Sequence, residues 1–154
     1  MSLAISASAL EPSRAVTEYA LETWQEGLPQ NSVHAIVQTP DGYIWVGTHE
    51  GLVRFDGSSF TVFDRDNTAA IKSNSIVELF VDSKGGLWAG AIGTMFRYKD
   101  GEFVSYGTDK GFDVNYATSI VETDDGVIWI ATNEGAFRFD GEFHKLGEAH
   151  GIPK

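Results

Sequence analysis

Apolar residues along the chain occur in short runs divided by polar turns, without the spacing of an amphipathic helix. The run at 76–81 is Ile-Val-Glu-Leu-Phe-Val, almost continuously apolar, which favours a strand buried on both faces. Comparable runs lie at 33–38 and 117–122. Asp-Gly pairs, which suit turns that need positive φ, stand between runs at 41–42, 56–57, 100–101, 125–126 and 140–141. The pattern therefore predicts an all-β chain of short strands.

Three tryptophans divide the chain into similar units. Trp45, Trp88 and Trp129 are separated by 43 and 41 residues. Other residue types recur at fixed offsets, with an asparagine 14 positions before each tryptophan and an arginine nine positions after it: Asn31, Asn74 and Asn115; Arg54, Arg97 and Arg138. A period of about 40–45 residues with four short strands per unit is typical of β-propeller blades. We predict three four-stranded antiparallel blades that form an incomplete ring.

The repeated tryptophans are predicted to be structural. Blades bury their flat faces against each other, and each tryptophan lies in the second predicted strand of its unit. Burying an indole removes about 150–250 Å² from water, which stabilises a blade by several kcal/mol at about 25 cal/mol per Å². We therefore expect Trp45, Trp88 and Trp129 each to be buried against a neighbouring blade.

The motif in the first unit resembles a known repeat. Residues 41–48 are Asp-Gly-Tyr-Ile-Trp-Val-Gly-Thr, and residues 51–57 are Gly-Leu-Val-Arg-Phe-Asp-Gly. The third unit is similar, with Ala131 at a glycine position, whereas the second departs at Ala91, Thr94 and Met95. This pattern resembles the two-component regulator propeller repeat, the periplasmic sensor region of hybrid histidine kinases or diguanylate cyclases.

The resemblance implies a longer protein. The family is expected to close rings of seven blades and to continue through further blades, a membrane span and a cytoplasmic output module. Residues 10–27, which include the segment Tyr19 to Trp24, are then expected to form a strand that closes the ring. The predicted organisation is a leader and signal-peptide remnant at 1–9, blades at 28–70, 71–110 and 111–150, and the start of a fourth blade at 151–154.

Composition excludes several functions. The net charge of −11 disfavours binding to nucleic acid or to anionic membrane surfaces. The chain has no cysteine, and His34, His49, His144 and His150 lack metal-ligand spacing, so no metal and no cofactor is predicted. Neither a nucleophile elbow nor a phosphate-binding loop is present in the sequence. No catalytic residue is predicted.

Candidate ligand contacts come from propeller geometry. The loops that enter each first strand and the turns between second and third strands share one face of a propeller, around the mouth of its channel. We predict ligand-binding residues there, with a structural role as turn caps left open for the asparagines: Asn31, His49, Glu50, Asn74, Asn115, Asn133 and Glu134.

The predicted function is ligand sensing without catalysis, with an unknown small molecule or glycan as the ligand. Two alternatives stay open: a fragment of a propeller enzyme, such as a lyase or a glycan-cleaving domain, and a generic protein-interaction scaffold. Three blades would leave two apolar faces uncovered, so self-association of this fragment is also expected.

Overall fold

The chain forms three antiparallel four-stranded sheets, each in the strand order of the sequence. The computed structural model describes residues 27–147 and 150–151. The predicted leader, nearly all of the predicted ring-closing strand and nearly all of the predicted fourth-blade start lie outside the described residues. No helix in the described part is long and apolar enough to cross a membrane.

The sheets are named here the first, second and third blades. The strands of the first blade are β1 Val33–Gln38, β2 Ile44–Thr48, β3 Gly51–Phe55 and β4 Phe60–Phe63. Those of the second are β5 Ile76–Val81, β6 Leu87–Ala91, β7 Thr94–Lys99 and β8 Glu102–Tyr106. Those of the third are β9 Ala117–Glu122, β10 Ile128–Thr132, β11 Gly135–Phe139 and β12 Phe143–Leu146. The predicted all-β propeller blades are confirmed.

Each first strand carries an irregularity at the same place. The pairing register shifts between Val33 and Ala35 in β1 and between Ile76 and Glu78 in β5. In the third blade the shift in β9 lies at the corresponding step, opposite Ala131 and Thr132 of β10. A bulge of this kind adds one residue and increases local twist. The three blades therefore share a backbone distortion as well as a sequence motif.

The first and second blades meet at an apolar interface, named here the first seam. Trp45 is fully buried, and its ring centroid lies 4.8 Å from that of Tyr98 and 5.7 Å from that of Phe63. Phe103 of the second blade completes a group of four rings, since it lies 5.2 Å from Phe63 and 4.7 Å from Tyr98. Around these rings, buried Leu52 from the first blade packs with aliphatic residues of the second.

The second and third blades repeat this arrangement at the second seam. Trp88 is 2% exposed and lies 5.6 Å from Tyr106 and 5.1 Å from Phe139. Phe143 closes the group at 5.3 Å from Tyr106 and 4.7 Å from Phe139. Two of the four rings again come from each blade. The same aromatic contacts thus join both pairs of neighbours.

The outer faces of the first and third blades are less covered. Ile36 is 65% exposed, whereas its counterpart Leu79 is 5% exposed because the first blade packs over it. Val121 is 51% exposed, although its counterpart Phe80 packs against the core of the second seam. Trp129 is only partly buried, so the prediction that each repeat tryptophan is buried against a neighbouring blade is wrong for this one. Within the described residues, no blade packs over the Trp129 face.

Removing the two tryptophans Trp88 and Trp129 should have unequal effects. Trp88→Ala leaves a cavity among the rings of the second seam and should lower the free energy of unfolding by about 3–5 kcal/mol. Trp129→Ala removes a side chain that already contacts solvent and should cost less than half as much. Urea unfolding of both variants, followed by circular dichroism, measures the difference. Equal losses would contradict the assignment of Trp129 to an uncovered face.

The uncovered faces should make the chain self-associate. Light scattering at micromolar concentration is expected to give a mass above that of one chain, because exposed apolar faces favour association. The double substitution Ile36→Lys with Val121→Lys places charge on both faces and should return the mass to that of a monomer. Val104→Lys, at an exposed valine of the edge strand β8, is the matched control and should change the mass little. A monomeric mass for the unsubstituted chain would refute this expectation.

Candidate functional site

The predicted contact residues belong to one end of the three sheets, named here the mouth end. It comprises the starts of β1, β5 and β9 and the turns that join β2 to β3, β6 to β7 and β10 to β11. Turns of one blade contact the first strand of the next at this end. His49 Nδ1 lies 2.7 Å from Ser75 Oγ, and the Gly93 N–H donates to the Asn115 carbonyl at 2.5 Å. The structure thus links neighbouring blades through the predicted loops.

Threonine hydroxyls position the carboxylates of two mouth-end turns. In the first blade, Thr48 Oγ1 donates to the Gly51 carbonyl and accepts the Glu50 N–H at 3.1 Å. In the third blade, Thr132 Oγ1 makes the same pair of bonds with the Gly135 carbonyl and the Glu134 N–H. Both glutamates are exposed. The threonine of the repeat motif is therefore a turn cap that presents an acidic side chain to solvent.

The second blade lacks this acidic turn. Ala91 occupies the position of the capping threonine, and the turn consists of Ile92 and Gly93. Their backbone N–H groups donate instead to the carbonyls of Ser75 and Asn115. The mouth end therefore carries carboxylates on the first and third blades and an apolar turn between them.

The three repeated asparagines have different roles. Asn74 Oδ1 accepts the Arg65 N–H at 2.9 Å, so Asn74 is the turn cap that the alternative interpretation describes. Asn115 Nδ2 donates to Glu134 Oε1 at 3.5 Å, which ties two predicted contact residues of the third blade together. Asn31 and Asn133 are exposed and make no side-chain hydrogen bond within the described residues. Four cavities of the described part are lined by other residues and include none of the seven predicted contacts.

Two mouth-end residues lie outside the predicted set. The His34 ring centroid is 4.0 Å from that of His49 in an edge-to-face arrangement, and His34 stands at the register shift of β1. Ser75 bonds His49, as described above. The sequence suggests His34 only as a candidate metal ligand. Its place beside His49 coincides with a bulge in β1, and a bulge has no local sequence signature. Within the described residues, no group of three or more metal-ligating side chains is present.

A carboxylate also lies between the inner strands of the second and third blades. Glu78 of β5 is partly buried, and its carboxylate accepts the backbone N–H of Ile120 in β9. Burial raises the pKa of Glu78 above its ordinary value, and the hydrogen bond from Ile120 only partly opposes this shift. The signal in the sequence is that Glu78 is the one charged residue in an otherwise apolar strand.

The packing of the sheets defines the class of protein. Three consecutive antiparallel sheets lie face against face with their first strands adjacent, as in the blades of a β-propeller. Residues 27–50 and 111–134 match the family described as Two component regulator propeller. Each match covers the first two strands of its blade, so the repeat is found in the two units in which the motif predicts it most clearly. Among curated proteins, none matches the chain significantly.

Solved structures share the fold over most of this chain. The extracellular domain of a hybrid two component system from B. thetaiotaomicron is 26% identical with a TM-score of 0.68, and the match covers 79% of this chain and 18% of that one. A second such domain from the same organism is 21% identical with a TM-score of 0.66, over 82% and 18% of the two chains. The chain thus spans under a fifth of these domains.

A propeller enzyme shares the fold. Virginiamycin B lyase from Staphylococcus aureus, in a catalytically inactive form with quinupristin, is 16% identical with a TM-score of 0.59. The match covers 77% of this chain and 43% of the lyase chain. At this identity the likeness shows the fold alone.

Glu78→Gln should stabilise the protein at neutral pH. The folded state raises the pKa of this acid from about 4.5, so its ionisation favours the unfolded state. The contribution of Glu78 to stability is therefore most favourable below pH 4.5 and declines as the pH rises through the raised pKa. The glutamine keeps an acceptor for the Ile120 N–H without the charge. Urea unfolding at pH 4 and at pH 7 should show a gain only at pH 7.

The control for this prediction is Glu102→Gln, which removes an exposed carboxylate from β8 of the same blade. It should change the stability at both pH values by less than about 0.5 kcal/mol, as surface substitutions usually do. Equal effects of the two substitutions at pH 7 would show that the burial of Glu78 has no energetic consequence.

Proposed function

We propose that this chain is the opening part of an extracellular propeller that senses a ligand for a membrane-bound two-component or cyclic-dinucleotide signalling receptor. The observation that carries the proposal is the repeat match in two blades, together with 26% identity to the extracellular domain of a hybrid two component system. In this proposal the segment itself catalyses no reaction. It lies in the periplasm, and further blades, a membrane span and an output module follow it.

The mouth end supports reception of a small molecule or glycan. The blades hold its loops on paired strands and buried rings, so side chains such as His49 and Glu50 can differ between relatives without loss of the fold. Exposed hydrogen-bonding groups lie at this end: the imidazoles of His34 and His49 on the first blade, and the Asn115 amide and the Glu134 carboxylate on the third. Three blades form only part of a propeller mouth, so we expect this segment alone to bind weakly.

The main alternative is an enzyme built on the same fold. The His49 Nδ1 to Ser75 Oγ distance of 2.7 Å is within the range for a base and a nucleophile. The similarity to a lyase supports only the architecture. Turnover of the ligand is therefore the outcome that an experiment must separate from binding.

The proposal can be tested in the receptor that contains this chain. A reporter of receptor output is measured on a panel of single sugars and oligosaccharides, and the strongest inducer becomes the probe. His49→Ala with Glu50→Ala should reduce the response at least tenfold. These side chains are exposed and lie outside the strand ladders, so the melting temperature should change by less than about 2 °C.

Asn74→Ala is the matched comparison, since it removes the cap on the Arg65 N–H. It should lower the melting temperature, because loss of such a cap costs about 0.5–2 kcal/mol. A full response from the His49 and Glu50 variant would refute the mouth-end site. Consumption of the probe by the purified extracellular region would refute the non-catalytic role.

A further inference from the structure

The two seams differ at one position where the first strand turns into the second. In the first seam Tyr43 fills this position, and the Arg54 guanidinium stacks on its ring at 4.5 Å. In the second seam the equivalent residue is Gly86. A Cβ atom on Gly86 would lie within 2.5 Å of the guanidinium of Arg97, so Arg97 occupies the space that a side chain here would need.

A second difference accompanies the first. The Trp45 indole N–H donates to the neutral Thr39 hydroxyl, whereas the Trp88 indole N–H donates to the Asp82 carboxylate at 2.9 Å. Asp82 is 7% exposed and also accepts Arg97 Nε at 2.9 Å and Arg97 Nη2 at 2.6 Å. The neutral pair of the first seam is thus replaced by a nearly buried ion pair at the second.

A cavity of about 390 Å³ lies beside the Asp82–Arg97 pair at the second seam, at the end of the sheets opposite the mouth. The volume is in the range of small-molecule sites. Its apolar wall includes Tyr106 and Phe139, both partly exposed. Its polar wall includes the carboxylates Glu122 and Asp125 of the third blade.

Neutral donors hold those two carboxylates in place. Glu122 accepts the Ser83 N–H at 2.5 Å and the Ser83 hydroxyl at 2.7 Å, across the seam. Asp125 accepts the Thr123 hydroxyl and the Val127 N–H, and these bonds keep the pKa of Asp125 below its ordinary value. The hydrogen bonds therefore fix the orientations of both carboxylates at the edge of the cavity.

The charges around the cavity favour a positive ligand. Four carboxylates line it against two basic side chains, Lys84 and Arg97. Arg97 balances the charge of Asp82, as described above, and Arg138 pairs with Asp140. Among the described residues that line the cavity, the carboxylates of Glu122 and Asp125 therefore face only one further basic side chain, Lys84. The net charge of −11 on the chain also attracts cations over longer distances. Carboxylates form strong charge-assisted hydrogen bonds with ammonium groups, and aromatic rings offer apolar contact to an organic substituent.

We propose that the cavity at the second seam binds a small organic amine in its ammonium form. The ammonium group lies between Glu122 and Asp125, and an apolar substituent packs on Tyr106 and Phe139. The site is at the opposite end from the mouth residues, so it is independent of the proposed function and can be tested separately.

The test uses the whole 154-residue chain and three benzyl probes of similar size. Benzylamine is the cation, benzyl alcohol the neutral analogue and benzoate the anion, each titrated into ¹⁵N-labelled protein at pH 7 and low salt. The signals followed are the amides of Gly86 and Gly126 and the indole N–H of Trp88. Benzylamine should give saturable shifts at all three, at least tenfold more tightly than benzyl alcohol, and benzoate should give none.

Two variants locate the binding. Asp82→Thr with Gly86→Tyr transfers the first-seam residues to the second seam; the first blade already combines them with the same tryptophan and arginine, so the variant should fold. It should abolish the saturable shifts, because it replaces the Asp82–Arg97 pair that lines the cavity. Glu122→Gln with Asp125→Asn keeps the volume but removes both charges, and it should weaken benzylamine binding at least tenfold.

The charge-matched control is Asp66→Asn with Glu102→Gln, at residues that do not line the cavity. It should leave the affinity for benzylamine within twofold, which excludes a general effect of net charge. Absence of saturable shifts with benzylamine would overturn the proposal. Equal binding of benzoate, or unchanged affinity in the Glu122 and Asp125 variant, would also overturn it.

Discussion

The packing of one tryptophan between neighbouring blades is the interaction on which the described structure depends. At each seam the indole joins three other rings, two rings being contributed by each blade. Aromatic pairs of this kind add about 0.5–1.5 kcal/mol each beyond their buried area. A sheet of four short strands buries little apolar surface by itself, so the contact between blades supplies much of the buried apolar surface. Each blade is therefore stable only when it packs against a neighbouring blade.

This constraint explains where the chain varies. Residues that form the rings recur from blade to blade, because every seam requires the same geometry. Positions that only border a seam can change, as Gly86 and Asp82 do relative to Tyr43 and Thr39, and at the second seam a cavity lies beside Asp82 without separating the blades. The mouth-end turns vary similarly, with Glu50 and Glu134 held by threonine caps and Gly93 without one. Differences between blades thus concentrate at the two ends of the sheets, where ligands have access.

The repeat allowed the strands to be predicted closely, because alternation, turn residues and period all reinforce one another. The first strands β1, β5 and β9 coincide with the predicted runs. The third strand of the first blade begins at Gly51, the first residue of the second part of the motif. The mouth-end residues follow from the same topology, but their individual partners do not. Asn74 bonds a loop amide and Asn115 bonds a glutamate, although they occupy equivalent positions in the repeat.

By itself the sequence determined the class of fold, the number of blades in the chain and the end of the sheets at which the loops converge. These features depend on local periodicity and on turn chemistry, and both are set by residues that are close together in the sequence. Only the tertiary structure decided that Trp129 is less buried than Trp88, that His34 lies against His49, and that Asp82 pairs with Arg97 beside a cavity. The burial of Trp129 and the cavity depend on which face of one blade meets the next, a contact between residues far apart in the chain. The His34–His49 and Asp82–Arg97 contacts each join two segments of one blade that are 15 positions apart in the sequence, and no local pattern specifies which side chains meet there.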